Sequence, residues 1–182
     1  AEMITAIRRA ICDTDGVADS SIHLTLKGVT TIPGTTNWDG VAFGPGDIYG
    51  EAGKIVDQEL VTQLASINLP DVTEIGAQAF YFCENLSNIT LPSSVTSIGS
   101  YAFNYCTSLT EFTIPGSVTD IGGYAFDGCS SLKKVDVEAI IPPKIGAGVF
   151  DGCKYDLKIY VPVESIEEYK SRLYYWYEWN IL

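Results

Sequence analysis

Cys83, Cys106, Cys129 and Cys153 recur at intervals of 23, 23 and 24 residues, and thiols are the side chains here most able to do chemistry. Stacked parallel strands lie about 4.8 Å apart, inside the Cα separation of about 4.4–6.8 Å that a disulfide accepts. Equivalent side chains on successive rungs point the same way, however, so bridging them would distort the backbone. The spacing also lacks the close cysteine pairs of a zinc site. Buried free thiols serving as small core residues are therefore expected. Cys12 stands outside this ladder and reads as a partly buried helix residue.

Other reactive groups are scarce. His23 is the single histidine, so any Ser-His or Cys-His mechanism must run through it. It alternates with Ile22 and Leu24, which marks it as a polar residue on a strand surface. No serine sits in a Gly-x-Ser-x-Gly elbow, and Ser94, Ser97 and Ser108 read as turn hydroxyls that satisfy backbone groups. Asp13-Thr14-Asp15-Gly16 begins like a calcium loop, yet Ile22 stands where such a loop needs glutamate, so a turn is expected. Gly44-Pro45-Gly46 does not follow a strand-to-helix junction and forms no phosphate cradle. The carboxylates are numerous, but no pattern sets two of them across a cleft. These residues predict no enzyme, no cofactor and no metal site.

Composition narrows the partners. The 182 residues are 46% hydrophobic and 19% charged, the balance of a folded chain with a core. A net charge of −12, from 23 acidic against 11 basic residues, repels phosphate backbones and anionic lipid. Nucleic acid is thus excluded as an expected partner. No run approaches the roughly 18 apolar residues of a membrane span. Ala1-Glu2-Met3-Ile4 lacks the features of a signal peptide, so any targeting segment is expected to have been removed.

The elements that position all these side chains come from one internal period. LPDVTEIGAQAFYFCENLSNIT (69–90), LPSSVTSIGSYAFNYCTSLTEFT (91–113) and IPGSVTDIGGYAFDGCSSLKKVDV (114–137) align directly, and 139–161 keeps the frame with one residue added. Phe80, Phe103, Phe126 and Phe150 share the cysteine spacing, as do Ile75, Ile98, Ile121 and Ile145. The pairs Ile89 and Leu91, Phe112 and Ile114, Val135 and Val137, and Ile159 and Val161 alternate with polar residues, the period of a half-buried strand. A unit this short cannot bury its apolar face alone, so the units must stack into a solenoid. Pro70, Pro92 and Pro115 fall just past the strands, and the Gly-x-x-Ala-Phe stretches suggest a tight turn entering a short helical return.

The pattern L-P-x-x-V-x-x-I-G-x-x-A-F-x-x-C-x-x-L-x-x-I-x resembles the BspA-type leucine-rich repeat of bacterial surface proteins and some protist ones. Ile141-Pro142-Pro143-Lys144-Ile145 followed by Tyr160-Val161-Pro162 is similar to that family's closing repeat. The resemblance covers residues 69–182 and implies an α/β, right-handed leucine-rich-repeat solenoid with a parallel strand ladder and a capping helix at each end. Asp156 departs from it, standing where earlier repeats have Leu86, Leu109 and Leu132, with Leu157 one place later.

Four regions of one structural domain are expected. Residues 1–21 form an amino-terminal capping helix with a stripe of Met3, Ile7, Ala10 and Ile11. Residues 22–68 form a degenerate repeat interrupted by an insertion at 35–60, with His23–Leu26, Val29 and Ile32 opening it and Leu64, Ile67 and Leu69 closing it. Residues 69–162 are the regular repeats. Residues 163–182 form a carboxy-terminal capping helix, opened by the capping box Ser165-Ile166-Glu167-Glu168 and sealed by Ile166, Tyr169, Leu173 and Trp176.

Function must then reside in surface. The outward strand positions include Asn88, Thr90, Glu111, Thr113, Lys134, Asp136, Lys158 and Tyr160, a small-polar field running into a basic patch. Trp38, Phe43 and Tyr49 in the insertion form a second candidate, since exposed aromatics anchor interfaces. The resemblance implies a secreted or cell-surface protein that adheres to an extracellular protein or glycan. A structural spacer within a larger surface chain is the alternative, and a carbohydrate-active enzyme a distant third. Any signal or lipid anchor lies outside this chain.

Overall fold

The computed structural model describes residues 22–25, 31–32, 64–171 and 180–182. The expected amino-terminal helix over 1–21, the insertion at 35–60, Leu173 and Trp176 lie outside the described residues. Each rung but the last contributes one strand to a first side and a two-residue strand to a second, and the last contributes to the first side alone. On the first side are β1 (Ile22–Thr25), β3 (Leu64–Asn68), β5 (Asn88–Thr90), β7 (Glu111–Ile114), β9 (Lys134–Val137) and β11 (Lys158–Tyr160). On the second are β2 (Thr31–Ile32), β4 (Glu74–Ile75), β6 (Ser97–Ile98), β8 (Asp120–Ile121) and β10 (Lys144–Ile145). All neighbouring strands run parallel. The register repeats the sequence columns, with Ile75 beside Ile98 and Ile98 beside Ile121.

The second side is one five-stranded sheet, whereas the first divides into β1-β3-β5 and β7-β9-β11-β12. The single strand ladder expected from the sequence is therefore two hydrogen-bonded sheets laid end to end. Ser108 N–H, donating to Glu84 C=O at 3.0 Å, still ties the two rungs at that break.

The expected helical return is absent: the Gly-x-x-Ala-Phe stretches form linked turns, and the third side is a ladder of its own. Alternate N–H groups leave the rung, Gln78, Phe80 and Phe82 donating to the carbonyls of Ser100, Ala102 and Asn104 at 2.8, 2.7 and 2.8 Å. The N–H groups between them close turns within the rung, Ala79 to Gly76, Tyr81 to Gln78 and Cys83 to Phe80. Gln78 and Phe82 have φ of 59° and 58°, a left-handed conformation that breaks an α-helix. A helix would spend its hydrogen bonds on itself, whereas a rung must bond to its neighbours on every side.

The core fills the space between the three sides. Phe80, Phe103, Phe126 and Phe150 stack at centroid separations of 5.2, 5.2 and 5.5 Å, with Phe112 edge-on to Phe126 at 4.6 Å. Ile75, Ile98 and Ile121, with Leu86, Leu109 and Leu132, complete it and are all buried. In the last rung Leu157 takes the buried leucine position and Asp156 is exposed, so the register slips by one residue to keep the core apolar.

The carboxy-terminal cap begins as the expected helical segment and ends as a strand. A 3-10 turn (Val163–Ser165) leads into α1 (Ile166–Ser171), so the helical segment opens with Pro162 at its cap and no side-chain cap bond. Tyr169 is fully buried and its hydroxyl donates to Ala139 C=O at 2.7 Å. Beyond α1 the chain returns as β12 (Asn180–Ile181), parallel to β11, which continues the ladder past the last repeat strand.

Close rung contact makes one glycine column obligatory. A Cβ on Gly122 would lie 2.2 Å from Ser100 N, and one on Gly99 2.3 Å from Ala77 N. A Cβ on Gly116 would lie 3.2 Å from its nearest neighbour, Glu138 O. Gly122→Ala is therefore expected to destabilise by about 3 kcal/mol or more, and Gly116→Ala to shift stability by about 1 kcal/mol or less. Urea unfolding followed by circular dichroism measures the contrast; equal midpoints would refute the close-contact account.

Candidate binding surface on the strand face

The alternation that buries Ile89, Phe112, Val135 and Ile159 turns their neighbours outward. Asn88 and Thr90 flank Ile89 on β5, and Glu111 and Thr113 flank Phe112 on β7, all four exposed. Strand register aligns Glu111, Lys134 and Lys158 in one column, and Thr113, Asp136 and Tyr160 in the next. Adjacent members of a column lie one rung apart, about 4.8 Å. Six of the eight strand-face candidates thus share one sheet, while Asn88 and Thr90 belong to the other. His23 aligns with Ser66 on the first sheet, far along the same side from β11. Trp38, Phe43 and Tyr49 lie outside the described residues.

Lys134 organises this surface. Its ammonium donates to Asp136 Oδ2 at 2.7 Å and lies 5.4 Å from the centroid of the Tyr160 ring. The hydrogen bond to Asp136 raises the Lys134 pKa, with further help from the charges of Asp136 and Glu111. The basic patch expected at this end is therefore a mixed-charge network, because Asp136 neutralises the central lysine. Lys133 and Lys158 remain exposed cations around it. Such an arrangement offers donors, acceptors and an aromatic ring at fixed spacing, which suits recognition of a surface rather than bond making.

The thiols are structural. Cys83, Cys106 and Cys129 are buried and Cys153 is half-buried, and all four are free. Cys106, Cys129 and Cys153 donate from Sγ to the carbonyls of Phe80, Phe103 and Phe126 at 3.3, 3.1 and 3.2 Å. Each S–H therefore links its rung to the one before, which explains a small donor at that column better than alanine would. Burial pushes the Cys83 thiol up to about 12 and holds Cys106 and Cys129 well above their ordinary value. A protonated buried thiol is no nucleophile.

The hydroxyls behave in the same manner. Ser94 and Ser117 donate to the carbonyls of Val72 and Val95 at 2.7 and 2.6 Å, again one rung back. Ser97 departs from the turn reading: it lies in β6 and its hydroxyl donates to Glu74 Oε1 at 3.3 Å. Among the described residues no three His, Cys, Asp or Glu side chains gather as a metal site. No described helix is long and apolar enough to cross a membrane.

A third set of residues, Phe82, Tyr101, Tyr105 and Tyr124, is partly or well exposed on the turn side. They occupy the variable positions of Gly-x-x-Ala-Phe-x-x-Cys, which the repeat pattern marks only as turn. Writing the repeats in columns would have shown the aromatic clustering, but not its exposure.

Parallel rungs, three hydrogen-bonded sides and a polar strand face define a repeat scaffold that presents surface. The sequence matches the BspA type leucine rich repeat region in six copies over residues 60–176, and the chain belongs to that family. The fold is similar to the crystal structure of a T. pallidum leucine rich repeat protein (27% identity, TM-score 0.59), covering 80% of this chain and 61% of that one. It is also similar to a leucine-rich repeat protein from Bacteroides ovatus ATCC 8483 (32% identity, TM-score 0.51), covering 65% of this chain and 28% of the other. This chain thus spans less than two thirds of either relative. No curated protein matches it.

The raised thiol pKa values carry a sign. Folding raises each above its unfolded value, so the folded state keeps protons that the unfolded chain releases. Stability is therefore full below the ordinary value of 9.0 and falls as pH rises toward about 12. Urea midpoints across that window should fall with pH, and Cys83→Ala should flatten the slope by the share of one thiol. An unchanged slope would show that the thiolate is not excluded. Native protein treated with iodoacetamide near neutral pH should leave Cys83, Cys106 and Cys129 unmodified by peptide mass mapping, with all three alkylated in urea.

Proposed function

We propose that this chain is a non-enzymatic, cell-surface or secreted binding module that engages an extracellular protein or glycan through the strand face. The observation that carries the reading is the Glu111–Lys134–Asp136–Tyr160 network. It sets charged and aromatic side chains on a rigid parallel ladder whose opposite face is core. Rigid presentation lowers the ordering cost of binding, and extended solenoid surfaces suit macromolecular partners better than small ones. Asn88 and Thr90 extend this surface toward the amino-terminal end. Trp38, Phe43 and Tyr49 add aromatic anchors from the insertion at 35–60. Membership of a repeat family supports protein binding in general terms, and adhesion to a host or neighbouring surface is the specific form proposed.

The test is binding of the purified chain to arrays of extracellular-matrix proteins and glycans, beside a variant carrying Glu111→Ala, Lys134→Ala, Lys158→Ala and Tyr160→Ala. These exposed or half-exposed positions leave the core intact, so the variant should keep its unfolding free energy within about 1 kcal/mol of wild type. Saturable binding that weakens about tenfold or more in the variant supports the strand face. Equal binding by both proteins moves the site elsewhere, and absence of saturable binding on both arrays favours a spacer.

A further inference from the structure

The turn side carries four aromatic residues that neither the backbone nor the core requires. Phe82, Tyr101, Tyr105 and Tyr124 have φ of 58°, 57°, 57° and 58°, a region costly for bulky side chains. At the equivalent positions of later rungs the chain has Gly128, Gly148 and Gly152, with φ of 73°, 62° and 66°. Glycine adopts this conformation freely. The rings are not core either, since Tyr101, Tyr105 and Tyr124 are 36%, 43% and 36% exposed.

Packing shows which part of each ring is offered. Phe82 stacks on Tyr105 at 4.6 Å and Tyr101 on Tyr124 at 5.1 Å, with planes within 12° and 14° of parallel. The rows end on glycine: a Cβ on Gly128 would lie 3.0 Å from the Tyr105 ring, and one on Gly148 2.4 Å from the Tyr124 ring. The ring faces turned toward the next rung are thereby covered, which leaves the outward ring edges as the exposed part. A sugar stacks on an open ring face, so this side is poorly built for glycan. Protein side chains pack against ring edges and exchange hydrogen bonds with phenols, as tyrosine-rich interfaces do.

Charge selects the kind of protein. Residues 76–86, 99–109 and 122–132, three of the turn segments, contain no lysine or arginine, and the matching 146–156 of the last rung contains one, the exposed Lys154, although the chain has 11. Against Lys154 stand Glu84, Asp127, Asp151 and Asp156, all exposed but Asp127. The turn side is therefore acidic and aromatic, unlike the mixed-charge strand face. We infer that it is a second docking surface, for a protein partner that presents an arginine- or lysine-bearing segment to the tyrosine rows. Carboxylates steer such a segment and the rings anchor it. This surface stands independently of the strand face.

The full chain is titrated, by fluorescence anisotropy, with a synthetic peptide alternating arginine and serine. A peptide alternating glutamate and serine and a chitooligosaccharide serve as comparison probes. The arginine peptide should bind saturably, and the triple variant Tyr101→Gly, Tyr105→Gly and Tyr124→Gly should bind it about tenfold more weakly or worse. Glycine suits the backbone at all three positions, and circular dichroism verifies the fold. Should that variant unfold, the triple Tyr→Phe variant and the pair Glu84→Gln with Asp151→Asn must each weaken binding. Lys134→Ala with Lys158→Ala should leave it unchanged, which separates failure here from failure of the strand-face reading. Absence of saturable arginine-peptide binding overturns the inference. So does equal binding by a folded tyrosine variant, or tyrosine-dependent binding of the chitooligosaccharide in place of the peptide.

Discussion

Every rung of this protein leaves backbone donors and acceptors that it cannot satisfy alone, and the structure follows from meeting that demand on all three sides. Strand ladders do so on two sides, and the left-handed turns do so on the third, by aiming every second N–H at the next rung. Unpaired buried backbone groups are costly enough that this requirement outweighs the local preference for a helix. It also sets the rung spacing, to which the glycine column at 99 and 122 and the stacked phenylalanines conform.

Side chains that elsewhere would be catalytic candidates are taken up by the same demand. The thiols of Cys106, Cys129 and Cys153 and the hydroxyls of Ser94 and Ser117 each donate to a carbonyl one rung back. Their chemistry is that of mortar between layers. Burial reinforces this by keeping the thiols protonated. The side chains that the ladder does not use are those facing water, and the proposed binding draws on these.

Two such surfaces differ in character. The strand face mixes signs, with Lys134 held between Asp136 and the Tyr160 ring. The turn side couples stacked aromatic rings to an excess of carboxylates over the single cation Lys154 in its described segments. A rigid scaffold can hold both without conflict, because the core separates them and neither surface contributes to it.

Repeat length, core columns, strand polarity and family were legible in the sequence, since period and alternation are one-dimensional signals that stacking merely repeats. Ile75, Phe80, Leu86 and Ile89 announce their burial by recurring. Even the slip at Asp156 and Leu157 could be read, because an apolar residue had to reach the core. Other features needed the tertiary structure. The conformation of the return, the break between β5 and β7, the pairing of Lys134 with Asp136 and the β12 strand depend on which groups face each other across rungs. So does the exposure of the tyrosine rows. A column of letters records what recurs, whereas only stacking decides which atom of one rung meets which atom of the next.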